Sequence, residues 1–473
     1  MGSCPVIRCP SVWLGGCCLS GKDHLLRVTV QNVPKDAASL KVTFPGKKVQ
    51  GFFTLNGFTA GTDGVALDDA SGDDDSDIAI TNLGISAFTE SLVINVPIPM
   101  GVASSQEYLY VRVGAYDSKG NKINSIDTPM KLVSSVPTAW APGRKASRKV
   151  TAKLPYFSTN RKNYQKIVFA PGNLQATTTV LPTSAAPMGE ASNWRFAAHQ
   201  WEAYGDCTSN NLTELGDVDL FAWVGKTSTY DSFTDANKYG LFLVDIAFGD
   251  WTKNKICGYG SAELILNDWS AIFNGSLYPE NTWRLLNNDR EGGESAAEVD
   301  VLLTRRSTTS TYVAAKATIL QENGTDTLAR GLIVFPDTYT HPYGVKELFN
   351  YTTSNNKAGH FANNVITLAE WDILENVGGC AFLPVTCIRD RVKIDGTYVR
   401  STGIYKEGAY WNNYSVSGSN VATTIICDAW YSDHSRDGAD VTNQPKGPRT
   451  NINPTKSVDR SRGCAVRLVR NVN

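Results

Sequence analysis

The sequence predicts a mainly β protein with some α-helix, divided into more than one domain. Short apolar stretches alternate with polar residues at a period of two, and Gly, Pro, Asn and Ser separate them, as expected for strands joined by turns. Hydrophobic residues make up 42% of the chain, including 11 Trp, 19 Tyr and 17 Phe. This much apolar material can bury a core, which excludes wholesale disorder. At 473 residues, the chain exceeds the usual single domain.

The charge balance argues against two classes of partner. The 45 basic and 46 acidic side chains give a formal net charge of −1, so there is no electrostatic reason to expect binding to nucleic acid or to an acidic membrane surface. No apolar stretch reaches the ~18 residues of a spanning helix. We therefore predict no nucleic-acid partner, and membrane contact only through a lipid anchor.

Residues 1–24 resemble an export signal. Leu14-Gly15-Gly16-Cys17 has the form of a bacterial lipoprotein cleavage box, in which Cys17 receives the lipid. The preceding apolar region is short, and Arg8 and Pro10 interrupt it. Two interpretations stay open: a lipidation signal, which predicts a secreted protein at the outer membrane or cell surface, or a disordered start.

Residues 25–136 predict an antiparallel β-sandwich of the immunoglobulin-like kind. Strand alternation covers residues 26–30, 40–44, 92–96 and 108–113, without helical spacing. An acidic run, residues 68–77, could offer oxygen ligands to Ca²⁺, but no glutamate closes it at the twelfth position. We interpret the run as a solvated loop and predict no metal.

Residues 137–158 are basic and proline-bearing, which predicts an interdomain linker, or a linker that passes into a first strand. Residues 159–473 form the second predicted domain and contain nine of the 11 tryptophans. Long polar loops there separate short strands such as residues 167–169, 331–335 and 381–384. Such long loops indicate a functional surface.

Two segments of the second domain have helical spacing, residues 299–303 and 367–374. In the second of these, Thr367 can cap the helix while Glu370 lies three residues later, which is the capping-box arrangement. We therefore expect a helix to begin at Thr367.

Catalytic signatures are missing from the sequence. It contains no nucleophile elbow, no zinc-protease motif, no Walker loop and no dinucleotide-binding motif. The five histidines are far apart, and His199 is interpreted as structural. The prediction is a protein that is not an enzyme, with no catalytic residue, no metal and no cofactor.

The last hundred residues indicate binding. Aromatic side chains there alternate with short polar ones, the mixture that antibody paratopes use. The aromatic members are Tyr405, Tyr410, Trp411, Tyr414, Trp430 and Tyr431. We assign Trp411 and Trp430 to the core, and expect residues 431–437, which lack aliphatic members, to be exposed.

The order of several motifs resembles a known family. The matching stretches are residues 166–175, 193–196, 200–201, 219–223, 281–284, 379–384, 410–412 and 462–469. The sequence is similar to bacterial surface proteins in which a fimbrillin-like β-sandwich precedes a C-type-lectin-fold domain of the FISUMP, or major paralogous, type. Residues 26–33, 42–44 and 95–99 resemble the front sandwich.

The resemblance implies a C-type-lectin-like α+β domain whose final Arg-Leu-Val strand closes it and brings its termini together. It also implies that the segment between Tyr410-Trp411 and that strand faces the ligand. Similar segments are rewritten in the variable proteins of diversity-generating retroelements, so diversification is a hypothesis here. A coding region with no template repeat beside it would remove that hypothesis. The candidate ligand-binding residues are Tyr410, Asn412, Asn413, Tyr414, Tyr431, Ser432, Asp433, His434, Arg436 and Asp437.

Two differences from proteins of the same general fold bear on calcium binding and on cysteine chemistry. Calcium-dependent lectins have an acidic residue in the loop that here reads Gln444-Pro445-Lys446, and Lys446 replaces that acid. We therefore predict calcium-independent binding. Formylglycine-generating oxidases, which share the general fold, act through cysteines. Cys380 and Cys464 lie in apolar strand patterns and are expected to be buried.

Three functions remain open. The leading hypothesis is an adhesin on the cell surface or a pilus that binds a protein or glycan of a host or neighbouring cell, with the front sandwich as a stalk or a pilus-joining module that contacts other pilus subunits. The second is an enzyme of formylglycine-oxidase or glycan-active type, which requires a pocket with converging carboxylates or reactive cysteines. The third is a passive pilin subunit, in which substitutions across residues 431–437 change only solubility.

Overall fold

A computed structural model of the chain shows a mainly β protein, with one helix in the part that it describes. The described residues are 24–45, 53–56, 64–67, 78–98, 108–131, 148–158, 166–180, 188–203, 216–221, 239–242, 299–300, 314–346, 348, 364–386, 392–393, 407–415, 421–428, 451–459 and 463–473. The predicted fold class, mainly β with some α, is confirmed. The chain divides into two compact units, Met1–Tyr156 with Val472–Asn473, and Phe157–Asn471.

The front unit consists of two sheets and a hairpin. Its strands are β1 (His24–Val33), β2 (Ser39–Thr43), β3 (Phe53–Asn56), β4 (Gly64–Leu67), β5 (Ile78–Thr81), β6 (Thr89–Ile98), β7 (Tyr108–Tyr116), β8 (Lys122–Lys131) and β9 (Arg148–Lys153). The sheet orders are β6-β1-β9 and β5-β2-β7-β8, and β3 pairs with β4. The four strands predicted in this region are therefore confirmed.

Alternation places the front core on one face of each sheet. In β1, Leu26, Val28 and Val30 have no exposed surface, whereas Arg27 between the first two is exposed. In β2, Leu40 and Val42 are likewise fully buried. Burial of one face per sheet is the pattern of a β-sandwich. Within residues 25–136 every described strand pair is antiparallel, as predicted. Strand β9 lies beyond that range and pairs with β1 in parallel.

Strand β9 shortens the predicted linker. Residues 148–156 lie in the front unit, where Leu154 N–H donates to Gln31 O at 3.0 Å. Val150 and Ala152 in β9 are buried, while Lys149 and Lys153 are exposed. The sequence of β9 does alternate with a period of two, but its basic and proline-bearing surroundings favoured a linker. Residues 137–147 of the predicted linker lie outside the described residues.

The second unit contains the remaining strands and the helix. Its strands are β10 (Phe157–Ser158), β11 (Lys166–Phe169), β12 (Leu174–Val180), β13 (Met188–Phe196), β14 (Asp217–Val218), β15 (Tyr239–Phe242), β16 (Val299–Asp300), β17 (Ala314–Leu320), β18 (Thr327–Val334), β19 (Val365–Ile366), β20 (Ala381–Pro384), β21 (Val392–Lys393), β22 (Glu407–Ser415), β23 (Val421–Asp428), β24 (Asn451–Asp459) and β25 (Val469–Asn471), and its helix is α1 (Leu368–Asn376). The three strands predicted here at residues 167–169, 331–335 and 381–384 are confirmed.

Four sheets organise these strands, in the orders β10-β11-β25, β14-β12-β13-β15-β21, β19-β17-β18-β20 and β16-β24-β23-β22. Strand β11, near the start of the unit, pairs with the final strand β25, so that Ile167 faces Asn471. Strands near the two ends of the unit therefore pair with each other.

Helix α1 begins where the sequence predicts. Glu370 N–H donates to Thr367 Oγ1 at 3.1 Å, and Thr367 N–H donates to Glu370 Oε2 at 2.9 Å, which completes the capping box. Trp371 and Leu374 face inward and are fully buried. They pack in one core with Ile319, Ile333 and Phe382 of the neighbouring sheet.

The other predicted helix, at residues 299–303, is wrong. Val299–Asp300 is the short strand β16, which pairs with β24. Five residues are too few to sustain a helix without a partner, and an open strand edge was available here. Residues 301–303 lie outside the described part of the chain.

Candidate ligand-binding site

Tyr410 and Trp411 stand at the base of the predicted binding segment, and both are buried. Tyr410 is 1% exposed, and its hydroxyl donates to Pro384 O at 2.7 Å and accepts from Asn173 Nδ2 at 3.2 Å. Trp411 is 4% exposed, and its Nε1–H donates to Phe221 O at 2.6 Å. Both side chains are therefore core residues.

Backbone hydrogen bonds bring the two ends of the segment together. Trp411 N–H donates to Ala465 O at 3.0 Å, and Ala465 N–H donates to Ala409 O at 2.9 Å. Cys464 and Phe221 exchange a second pair of bonds of 3.0 and 2.9 Å. Residues 412–464, named here the closed segment, thus leave and re-enter the core at one place.

The closed segment contributes the end of β22 and all of β23 and β24 to the four-stranded sheet β16-β24-β23-β22. The end of β22 pairs with β23, and β23 pairs with β24. The register of β22 and β23 shifts between Trp411 and Ser415, so the strand is irregular just beyond the buried pair. Residues 429–450, which connect β23 to β24, lie outside the described residues.

A buried arginine holds the end of the chain in the core. Arg467 is 3% exposed, and it donates from Nη1 to Ala170 O at 3.1 Å, from Nη2 to Gln200 O at 3.2 Å, and from Nη2 to Phe382 O. Burial lowers its pKa to about 10, although the charges of Tyr410 and Glu375 act to raise it. The guanidinium therefore stays charged at neutral pH.

Gln200 forms the second polar cross-link. Its Nε2 donates to Glu375 Oε1 at 2.9 Å and to Cys380 O at 3.3 Å, while its Oε1 accepts from Phe382 N–H at 2.9 Å. One amide thus joins the segment after β13, the end of α1 and strand β20. Arg467 and Gln200 both bind Phe382, so they form one network.

The structure corrects one candidate residue. Tyr410 is not available to a ligand, because its ring is buried and its hydroxyl bonds are internal. Asn412, Asn413 and Tyr414 lie on β22 directly after the buried pair. The other candidates, Tyr431, Ser432, Asp433, His434, Arg436 and Asp437, and the proposed lipidation residue Cys17, lie outside the described residues.

Among the described residues, Cys380 and Cys464 are core residues, whereas His199 is exposed. Cys380 and Cys464 are buried, as predicted, at 3% and 0% exposure. Burial, and secondarily the charge of Glu375, raise the pKa of the Cys380 thiol, so it is not a thiolate at neutral pH. His199 stacks on Trp201 with ring centroids 4.6 Å apart, and Trp201 packs against the core of α1.

Asn173, Gln200 and Arg467 have structural roles that no sequence motif predicts. Each is at least 92% buried and bonds with groups far away along the chain. A signal was present for Arg467, which stands between the apolar residues Val466 and Leu468. A polar residue within an apolar stretch is buried only when partners satisfy it, so such positions mark internal networks.

The described residues contain no cluster of three or more His, Cys, Asp or Glu side chains suited to a metal. The acidic run at residues 68–77 is not among them, so calcium-independent binding stays a prediction. None of the described helices is long and apolar enough to cross a membrane. No protein-family model, curated protein or solved structure matches this chain.

Proposed function

We propose that this protein is an adhesin of the cell surface or of a pilus, and that the closed segment displays its ligand-binding surface. The observation that carries the proposal is the joining of both ends of residues 412–464 to the core through Trp411, Cys464 and Ala465. A binding surface is most precise when a rigid base presents it. The network of Arg467 and Gln200 stiffens that base.

The composition of the closed segment supports a ligand-binding surface rather than a loop that only connects strands. It holds Tyr, Asn, Asp and Ser in close succession, and such residues combine rigid aromatic area with adaptable hydrogen bonding. With Tyr410 assigned to the base, the proposed contact residues are Asn412, Asn413, Tyr414, Tyr431, Ser432, Asp433, His434, Arg436 and Asp437.

The remaining features of the proposal follow from the resemblance. The second unit is a C-type-lectin-like domain, the ligand is a glycan or protein of a host or neighbouring cell, and binding needs no calcium. The front unit serves as a stalk or contacts other pilus subunits. Lipid on Cys17 holds the exported protein at the outer membrane, and a retroelement diversifies the closed segment.

A binding screen of the full chain tests this function. The chain is applied to glycan and cell-surface protein arrays with and without a chelator, beside a variant carrying Y431A, D433A, H434A and R436A. The matched control carries Q321A, E322A and T325A in the exposed turn between β17 and β18. We expect a chelator-insensitive hit that the first variant loses and the control keeps.

Three other outcomes contradict parts of the proposal. A hit that survives the first variant removes the assigned site. A hit lost in chelator overturns calcium independence. A folded chain with no hit on either array overturns the adhesin function and favours a passive subunit or an enzyme.

A further inference from the structure

The two edges of the front sheet β6-β1-β9 differ in chemistry. On β9, the exposed residues include Lys149 and Lys153, and lysines on an edge strand discourage pairing with another chain. On β6, the exposed residues of the central part are Ser91, Val93 and Asn95. Val93 is 44% exposed, so β6 presents an apolar side chain where β9 presents cations.

The other sheet also protects its edges. Strand β8 carries the exposed Pro129, which has no N–H to donate, and β5 has only four residues. Strand β6 has ten residues, and among the described strands it pairs with β1 alone. Pro97 interrupts only its end. Within the described front unit, β6 is the long edge without such protection.

The core-facing side of β6 is also incompletely covered. Val28 and Val30 of β1 are fully buried, but Ile94 and Leu92, their partners on β6, are only half-buried. A further strand beside β6 would satisfy its outer row of N–H and C=O groups and cover these two side chains.

We propose that this strand is β6 of a second copy of the chain, paired antiparallel about a two-fold axis. A two-fold axis perpendicular to the sheet keeps every side chain on its own face of the sheet. Each residue therefore lies opposite a residue whose side chain points to the same face, and one residue at the centre lies opposite its own copy. When Val93 lies opposite Val93 of the second copy, Ser91 lies opposite Asn95 and Leu92 lies opposite Ile94.

The charges of β6 favour this self-pairing. Its one charged residue is Glu90, and in the register centred on Val93 it lies opposite Val96 of the second copy. The two Glu90 carboxylates are thereby kept from facing each other, which like charges would oppose. The apolar centre, the polar flanks and the displaced charges make the strand complementary to itself.

Sedimentation equilibrium of the full chain tests the pairing. Edge contacts of this size are small and weak, so concentrations from about 1 μM to about 1 mM are needed. We expect a monomer–dimer equilibrium. V93K places two cations opposite each other and should lower the association constant at least about tenfold, whereas V93T should change it by less than about threefold.

A matched control places the same charge on the other edge. T151K alters an exposed position of β9 and should leave the association constant unchanged. Thermal melting verifies that each variant is folded. A chain that is monomeric throughout, or a dimer that V93K leaves intact while it remains folded, overturns the proposal.

Cysteine cross-linking tests the register separately. Under mild oxidation, V93C should form a disulfide between the two copies, located by peptide mass mapping because the chain has ten native cysteines. N95C alone should not, because its two copies would lie about 13 Å apart along the strands, whereas S91C with N95C should. A dimer in which N95C cross-links and V93C does not overturns the register.

Discussion

The cores of the two units are stabilised by different interactions. In the front unit, alternate apolar residues such as Leu26, Val28 and Val30 are fully buried, and strand pairing places them on one face. In the second unit, polar side chains cross the core. Arg467 bonds with Ala170, 297 residues away, and Tyr410 bonds with Asn173, 237 residues away. Apolar burial is non-directional, whereas a buried hydrogen bond demands one partner in one place. The second unit therefore depends on a few individual residues.

The largest expected effect is the loss of the Arg467 side chain. R467A leaves three buried carbonyl groups, of Ala170, Gln200 and Phe382, without this donor. We expect the free energy of unfolding of the second unit to fall by about 4 kcal/mol. Urea denaturation followed by tryptophan fluorescence measures it, with R27A at an exposed position of β1 as the control. A loss below about 1 kcal/mol would show that the network is dispensable.

A smaller effect is expected from a single apolar residue of the front unit. L26A removes a fully buried side chain from β1, and we expect a loss of about 3 kcal/mol from transfer and cavity terms. R27A, one residue later and exposed, should stay within about 0.5 kcal/mol. Hydrogen exchange resolved to peptides of β1 and β6 checks both. Equal losses from the two variants would contradict the alternation that defines this core.

The smallest expected effect concerns Glu370 at the start of α1. Burial acts to raise its pKa, but the N–H groups of Thr367 and Lys346 and the charge of Lys346 outweigh it, so the pKa lies below the ordinary 4.5. A lowered folded-state pKa contributes stability above the unfolded value, and this stability is lost as pH falls through the folded value. We therefore expect E370Q to cost about 1 kcal/mol at pH 7.

The pH dependence distinguishes the charge from the cap. Below pH 4.5 the difference between the native chain and E370Q should shrink, because the carboxylate takes up a proton. Thermal melting across this range measures it. A difference that does not change with pH would mean that the amide of E370Q fails for geometric reasons only.

Local patterns were enough to locate much of the fold. Strands β1, β2, β6 and β7 of the front unit, strands β11, β18 and β20, and the cap of α1 were all predicted, because each depends on residues within a few positions of one another. The linker was predicted too long, since the lysines of β9 concealed its alternation. The short strand β16 was taken for a helix, because five residues fit both periods.

The candidate site divides in the same way. The resemblance implied that the two ends of the second domain lie near each other, and β11 does pair with β25. The alternation of aromatic and polar residues grouped Tyr410 with the display residues, although Tyr410 belongs to the base. The local sequence cannot distinguish a buried tyrosine from an exposed one. Tyr410 is buried because Pro384 and Asn173, which are distant in sequence, form hydrogen bonds with its hydroxyl.

The sequence by itself determined the fold class, the strand positions read from a period of two, the buried cysteines Cys380 and Cys464, and the beginning of α1. The tertiary structure decided that β9 belongs to the front sheet, that Tyr410 is internal, and that Arg467 and Gln200 tie three segments into one base. Periodicity and caps are local, so neighbours in sequence specify them. Buried hydrogen bonds join groups about two to three hundred residues apart, and only the folded chain brings such groups within hydrogen-bonding distance.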